Sequence, residues 1–309
     1  DVILPKEKSQ ILYHYMQDNT RYINVSTKIG GLQTYPAEYV CTNRYGDCKA
    51  LTNYMQAMLK YVGIKSYYTL IDSDDSVNDF DATFPSDPFN HVILTLPLDN
   101  DTIFLECTSQ NLAFGYIPTS NQGRKALLID KDNSVLIDIP SDKVDDIKST
   151  RFFDVNVNNI YVDAKLNSRQ KGRNYELYKF IQKGITKNTA DKYLHDNILS
   201  GSYTLNHYDF KDLDRDSSYT ELEASFRIEN IIKRYGNNLV ITPFSWNFAA
   251  FELPANRTQG VQIDNPIYKE DNIIYRIKDY KINKVPENIS IETPFGKYNV
   301  EYNIDDDHK

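Results

Sequence analysis

The stretch Tyr45-Gly46-Asp47-Cys48-Lys49-Ala50 opens the apolar run 51–62, and its reading decides the fold of the first half of the chain. Leu51, Tyr54, Met55, Met58, Leu59 and Val62 fall at i, i+3, i+4, i+7, i+8 and i+11, one face of an amphipathic helix. Asp47 stands where an N-cap is needed, and Gly63 stands where such a helix stops. Cys48 then occupies the first turn. There the unpaired N–H groups and the positive end of the helix dipole favour a thiolate over a thiol. A cysteine so placed is either a nucleophile or a small buried hydrophobe, and the rest of the chain must decide.

Working outward, residues 6–18 read as a helix with Ile11, Leu12, Tyr15 and Met16 on one face. Tyr22-Ile23-Asn24-Val25 reads as a short strand, Gly30-Gly31 as a turn, and Pro36-Ala37-Glu38-Tyr39-Val40 as the start of a short helix. Beyond residue 63 the period changes from helical to extended. Strands are expected at 65–72, at 89–96 with His91, and at 102–107 with Glu106, the last two joined by a turn at 98–101. A further hairpin is expected from 127–129 and 135–137. One helix-rich block followed by an antiparallel sheet is an α+β pattern, and it gives a first unit spanning 1–144.

From 145 to 309 the pattern is one of short strands with turns between them. Alternation is clean at 222–228 and at Tyr298, Val300, Tyr302 and Ile304, with further strands expected at 155–166, 239–242, 272–277 and 289–291. The expectation is an all-β, sandwich-like module interrupted by a helical insertion at about 174–199.

At 309 residues, with 40% hydrophobic and 25% charged residues, the chain is globular and long enough for two domains. Its net charge of −8 argues against a nucleic-acid or anionic-membrane partner. No apolar run has the length of a membrane span, and no targeting signal is visible from Asp1 onward. Three cysteines (Cys41, Cys48, Cys107) are too few for a disulfide framework, and no zinc-type spacing is present. The acidic run Asp72, Asp74, Asp75, Asn78, Asp79, Asp81 fails the EF-hand template, with Val77 at the sixth position and Thr83 at the twelfth, and reads as a solvated loop. Asp305-Asp306-Asp307 reads as a solvated tail.

A nucleophilic cysteine needs a base, and the base needs a third group to fix its tautomer. His91 follows Cys48 by 43 residues, in Phe89-Asn90-His91-Val92-Ile93-Leu94. Glu106 follows His91 by 15, in Phe104-Leu105-Glu106-Cys107-Thr108-Ser109. Two antiparallel neighbours can bring a histidine and a carboxylate side by side, with the helix N-terminus set across them. Cys107 alternates to the opposite face from Glu106 and reads as structural. Cys41 reads as a packed thiol, and a Cys41–Cys48 disulfide would silence the nucleophile.

Those three motifs resemble the bacterial transglutaminase-like proteins of the papain-like cysteine peptidase superfamily. Arg21-Tyr22-Ile23, Ile29-Gly30-Gly31-Leu32-Gln33, Phe114-Gly115-Tyr116-Ile117 and Gly123-Arg124 match the same pattern in order, over about the first half of the chain. The resemblance implies a papain-like transglutaminase core, its catalytic helix packed on an antiparallel sheet, with the triad Cys48, His91 and Glu106. The family's usual third member is Asp followed by Pro-Thr; here it is Glu followed by Cys-Thr. The backbone N–H of Cys48 is the first oxyanion donor, and Gln33 is a second candidate by analogy with the upstream glutamine of papain-like enzymes. The β module resembles the one often attached to such proteins. The family's frequent N-terminal β domain is absent, so the chain is expected to be a fragment.

The function expected is hydrolysis of an amide or peptide bond through a Cys acyl-enzyme, on a peptide, protein or amide substrate, with no cofactor and no metal. Two alternatives stay open: transfer of the acyl group to an amine, and a non-enzymatic cell-envelope binding protein with a relic core. The resemblance places the protein in the periplasm, at the cell surface or outside the cell.

Overall fold

A computed structural model describes the chain apart from residues 1–3, 26–30, 32, 75, 78–80, 82, 85, 99–100, 200, 245–257, 259–261, 264, 279 and 305–309. Gly30 of the expected turn, the middle of the 98–101 turn, Asp75, Asn78 and Asp79 of the acidic run and the acidic tail therefore lie outside the described residues. The described chain is a mixed α+β structure with five α-helices and two five-stranded sheets. No helix among the described residues is long and apolar enough to cross a membrane.

Helix α1 (Pro5–Asn19) leads through β1 (Arg21–Tyr22) to α2 (Ala37–Asn43), β2 (Tyr45–Gly46) and α3 (Cys48–Tyr61). The Asp47 side chain caps α3 by accepting from the Ala50 N–H at 2.9 Å, and Gly63, at φ 78°, lies just past its end. The expected stripe is the one that packs: Leu51, Tyr54, Met55 and Leu59 are buried. Gly46 is required by close approach, since a Cβ there would stand 2.8 Å from the Ala50 Cβ. The expected strand 22–25 is shorter than its sequence suggests. Tyr22 pairs with Gly46, the Ile23 N–H reaches the Gly46 carbonyl, and β2 then turns into the helix and offers no further partner.

β3 (Tyr67–Ile71), β4 (His91–Leu98), β5 (Asp101–Leu105), β6 (Lys125–Leu128) and β7 (Val135–Asp138) form an antiparallel sheet in the order β5-β4-β3-β6-β7. Leu94, Leu96, Ile103 and Leu105 share a core with Leu51, Met55 and Leu59 of α3. Ile71, Ile93, Phe104, Ala126 and Ile139 form a second, smaller cluster. β4 therefore reads as a continuous apolar run because both of its faces are covered.

Helix α1 turns inward a face that shares Met16 and part of Leu12 with the one expected. Ile11 and Tyr15 stay 57% and 42% exposed, while Ser9, Tyr13, Met16 and Gln17 are buried. The polar members of that face have partners, which makes their burial cheap. The Tyr13 hydroxyl donates to the Glu106 carbonyl at 2.8 Å, and the Gln17 amide donates to the Ser109 and Leu112 carbonyls, each at 3.0 Å.

The second sheet is built from β8 (Ser149–Val157) and β9 (Tyr161–Gln170), then, after α4 (Arg173–Gly184) and α5 (Lys187–Ile198), from β10 (Thr204–Phe210) and β11 (Thr220–Glu229). β12 (Ile232–Tyr235) and β13 (Asn238–Ile241) form a separate ribbon. β14 (Lys269–Ile277) joins the sheet, and β15 (Ile289–Thr293) and β16 (Gly296–Val300) form a last hairpin. The order is β10-β11-β9-β8-β14, antiparallel except that β14 runs parallel to β8. The expected strand 155–166 is thus two strands with a turn between them. The sandwich expectation is corrected as well. Tyr178, Ile181, Ala190, Leu194 and Ile198 of the two helices cover Phe153, Val155, Val162, Leu166 and Phe226 of the sheet. The helical stripe does the work a second sheet would have done, because a sheet with one apolar face needs only one partner layer.

Candidate active site

Cys48 is the first residue of α3 and is half-buried. Its backbone N–H belongs to the helix's first turn and has no partner within the helix. Asp47, 1% exposed, fixes that turn and also pairs with Lys49 Nζ at 2.6 Å. His91 opens β4, and Glu106 follows β5 directly, so the two lie at neighbouring ends of paired strands. His91 Nε2 stands 2.8 Å from Glu106 Oε2, and Cys48 is near enough to the same imidazole to favour its charged form. With Nε2 engaged by the carboxylate, Nδ1 is the ring atom left for the thiol.

Glu106 is 6% exposed, and both of its oxygens are used. Oε1 accepts from the Thr108 N–H at 2.9 Å and from the Thr108 hydroxyl, and Oε2 accepts from the Asn121 amide at 3.1 Å. These donors hold the longer glutamate arm to one orientation. Burial works against charge on His91, but the Glu106 carboxylate and nearby Cys48 outweigh it and push the imidazole up to about 10. Burial likewise works against the Glu106 carboxylate. His91 and Thr108 outweigh it and hold the group below the usual carboxylate range. The pair is thus an imidazolium against a carboxylate at neutral pH.

Two phenols are near enough to Cys48 for its charge to affect their ionisation. Burial, followed by the proximity of Cys48 and Asp47, raises Tyr22, and burial raises Tyr68 to about 12. The Tyr68 hydroxyl is 3.3 Å from Thr34 Oγ1. Gln33 is exposed, on the segment leading into α2, and no hydrogen bond among the described residues holds its side chain near Cys48. Cys107 is buried, and burial pushes its thiol up. Cys41 differs from its expectation: it is exposed and free rather than packed, and all three thiols are unpaired. Thr108, Asn121, Tyr22 and Tyr68 are the neighbours that sequence reasoning missed as site residues. Thr108 and Tyr22 stand inside quoted motifs, whereas nothing local marks Asn121 or Tyr68.

Of the acidic run, Asp72 is engaged with the protein rather than only with solvent. It accepts from the Asn90 amide at 2.8 Å and lies 3.6 Å from Arg124 Nη1. Among the described residues no group of three His, Cys, Asp or Glu side chains could hold a metal ion. A cavity of about 330 Å³ lies between the two halves, lined by Phe114, Tyr116, Asp142 and Asp216 among others. It includes none of Cys48, His91 and Glu106.

Comparison with known proteins gives two findings. The model of a domain of unknown function with a solved structure, DUF3858, matches residues 230–308. The crystal structure of "a putative protease" from Parabacteroides distasonis is similar at 10% identity and a TM-score of 0.37, over 74% of this chain. This chain spans 47% of the length of that one. A likeness of that size carries neither a shared fold nor a shared activity. No curated protein matches.

Proposed function

We propose that this chain is a thiol-dependent acyl-transfer enzyme of the transglutaminase-like, papain-related kind, hydrolysing an amide or peptide bond, with a first unit over 1–144. One observation supports the reading: His91, hydrogen-bonded to a buried and fully bonded Glu106, with Cys48 at a helix start near enough to favour the charged ring. Because His91 holds its proton at neutral pH, its first act is to donate. The Cys48 sulfur attacks the carbonyl carbon, and the oxyanion forms against the Cys48 N–H, with Gln33 as the second donor proposed. The C–N bond breaks as His91 gives its proton to the leaving nitrogen, leaving a thioester. Neutral His91 then takes a proton from water, the hydroxide attacks the thioester, and the C–S bond breaks to return the thiolate, the acid and imidazolium. Glu106 keeps the ring in register throughout.

Iodoacetamide labelling read peptide by peptide tests this reading. Cys48 should outpace exposed Cys41 at neutral pH and lose that lead in His91→Ala. A Cys48 that labels no faster than Cys41, and ignores His91→Ala, would remove the enzyme reading in favour of a binding protein. Product analysis with and without added amine then separates hydrolysis from transfer.

A further inference from the structure

Glu176 stands on α4, in the half of the chain that holds none of Cys48, His91 and Glu106, yet its side chain bonds to Tyr116 and Thr119 of the first half. One oxygen accepts from the Tyr116 hydroxyl at 2.9 Å and from the Thr119 N–H at 2.7 Å, and the other lies 3.3 Å from the Thr119 hydroxyl. Thr119 opens the single helical turn Thr119–Asn121. At the end of that turn Asn121, 1% exposed, donates to Glu106 Oε2, the same oxygen that His91 engages.

The turn is fixed on its far side as well. The Gln122 amide donates to the Ile117 carbonyl at 2.8 Å and to Asp142 at 3.0 Å. Gly123 sits at φ 66°, where a Cβ would come within 2.6 Å of Ser141 Oγ, so no side chain fits there. Tyr116 packs edge-on against Tyr175, the neighbour of Glu176, with ring centroids 4.8 Å apart. Burial raises the Glu176 carboxyl above its usual range, although Thr119, Tyr116 and Arg173 pull the other way. A buried carboxylate whose donors are Tyr116 and the Thr119–Asn121 turn is costly to keep unless the position of that segment matters.

We propose that Glu176 is a positioning residue for the candidate active site: by holding Tyr116 and the Thr119–Asn121 turn it sets Asn121 against Glu106, and so aims the His91 ring at Cys48. The inference rests on the acyl-transfer reading for its functional meaning. It also makes the second half of the chain part of the site's construction.

The test is an NMR pH titration of the His91 ring in the full chain, its signal assigned by loss in His91→Gln. In the unaltered protein the ring should titrate near 10. Asn121→Ala should lower the midpoint, because Glu106 Oε2, no longer held by the amide, moves away from the ring and the nearby negative charge that favours imidazolium is weakened. Glu176→Gln should lower it in the same direction, and the double variant should go no lower than Asn121→Ala alone. Should Glu176→Gln fail to fold, Tyr116→Phe, which removes one of its donors, carries the same comparison. A merely structural Glu176 would cut thermal stability and leave the His91 midpoint unmoved; that result, or additive shifts in the double variant, would overturn the relay. The titration does not depend on turnover. A Cys48 that ignores His91→Ala in labelling therefore sinks the enzyme reading separately, while the His91 midpoint still decides the relay.

Discussion

At His91 burial and charge oppose each other, and the direction of the outcome fixes how stability must vary with pH. The imidazole moves from an ordinary 6.5 to about 10 on folding, with burial resisting and Glu106 and Cys48 prevailing. Its contribution is therefore fully present below pH 6.5 and is lost as pH rises through about 10. Glu106 moves the other way: its contribution is present above its unfolded value of 4.5 and fades as pH falls through the lower folded value. Urea unfolding at a series of pH values should show the unaltered protein losing its advantage over His91→Gln between pH 6.5 and 10. Parallel curves would mean that the ring is neutral when folded. A second expectation concerns Asp47, whose carboxylate caps α3 and pairs with Lys49. Asp47→Ala should cost about 1–2 kcal/mol of unfolding free energy. Asp47 and Cys48 were readable in the sequence because a cap and a first-turn residue are defined by their immediate neighbours. Asn121 and Glu176 were not, since their contacts to Glu106 and Thr119 span 15 and 57 residues and no local pattern encodes them.

Among the elements, α1 shows how an apolar stripe can mislead. Ile11 and Tyr15 look like core and stay exposed, because the inward face is chosen by hydrogen bonds that Tyr13 and Gln17 make to the chain around Glu106. Tyr13→Phe should therefore destabilise by about 1–2 kcal/mol through the unpaired Glu106 carbonyl, while Ile11→Ala should stay within about 0.5 kcal/mol. Equal costs in denaturant titrations would contradict this assignment of faces. α3 was legible because its stripe repeats over three turns and is framed by Asp47 and Gly63. The second sheet was legible only in part. Alternation in β9 and β11 announces one buried face, but alternation is silent on what covers it, and two helices could be taken for an insertion. The turn between β8 and β9 sits at Asn158-Asn159, a turn signal that the strong strand formers on either side outweigh in a reading of 155–166 as one strand.

For the whole molecule the decisive contact is the edge pairing of β14 with β8. Arg151, 2% exposed, meets Asp271 through two bonds and also donates to the Ile198 carbonyl, tying edge strand, sheet and α5 together. Asp271→Ala should cost about 3–5 kcal/mol, because it leaves a buried guanidinium without its carboxylate; a loss under 1 kcal/mol in urea titrations would show that water reaches Arg151 readily. The same pairing shapes how the protein is made. β8 is synthesised 120 residues before the strand that covers it, since Arg151 must wait for Asp271. Through that interval the growing chain carries an open sheet edge, with its backbone N–H and C=O groups unmated, which is the geometry that recruits a second chain. A polypeptide stopped before residue 269 keeps the edge open for good. Sedimentation should find it self-associated through β8, whereas in the full chain β14 covers β8 and becomes the edge strand in its place.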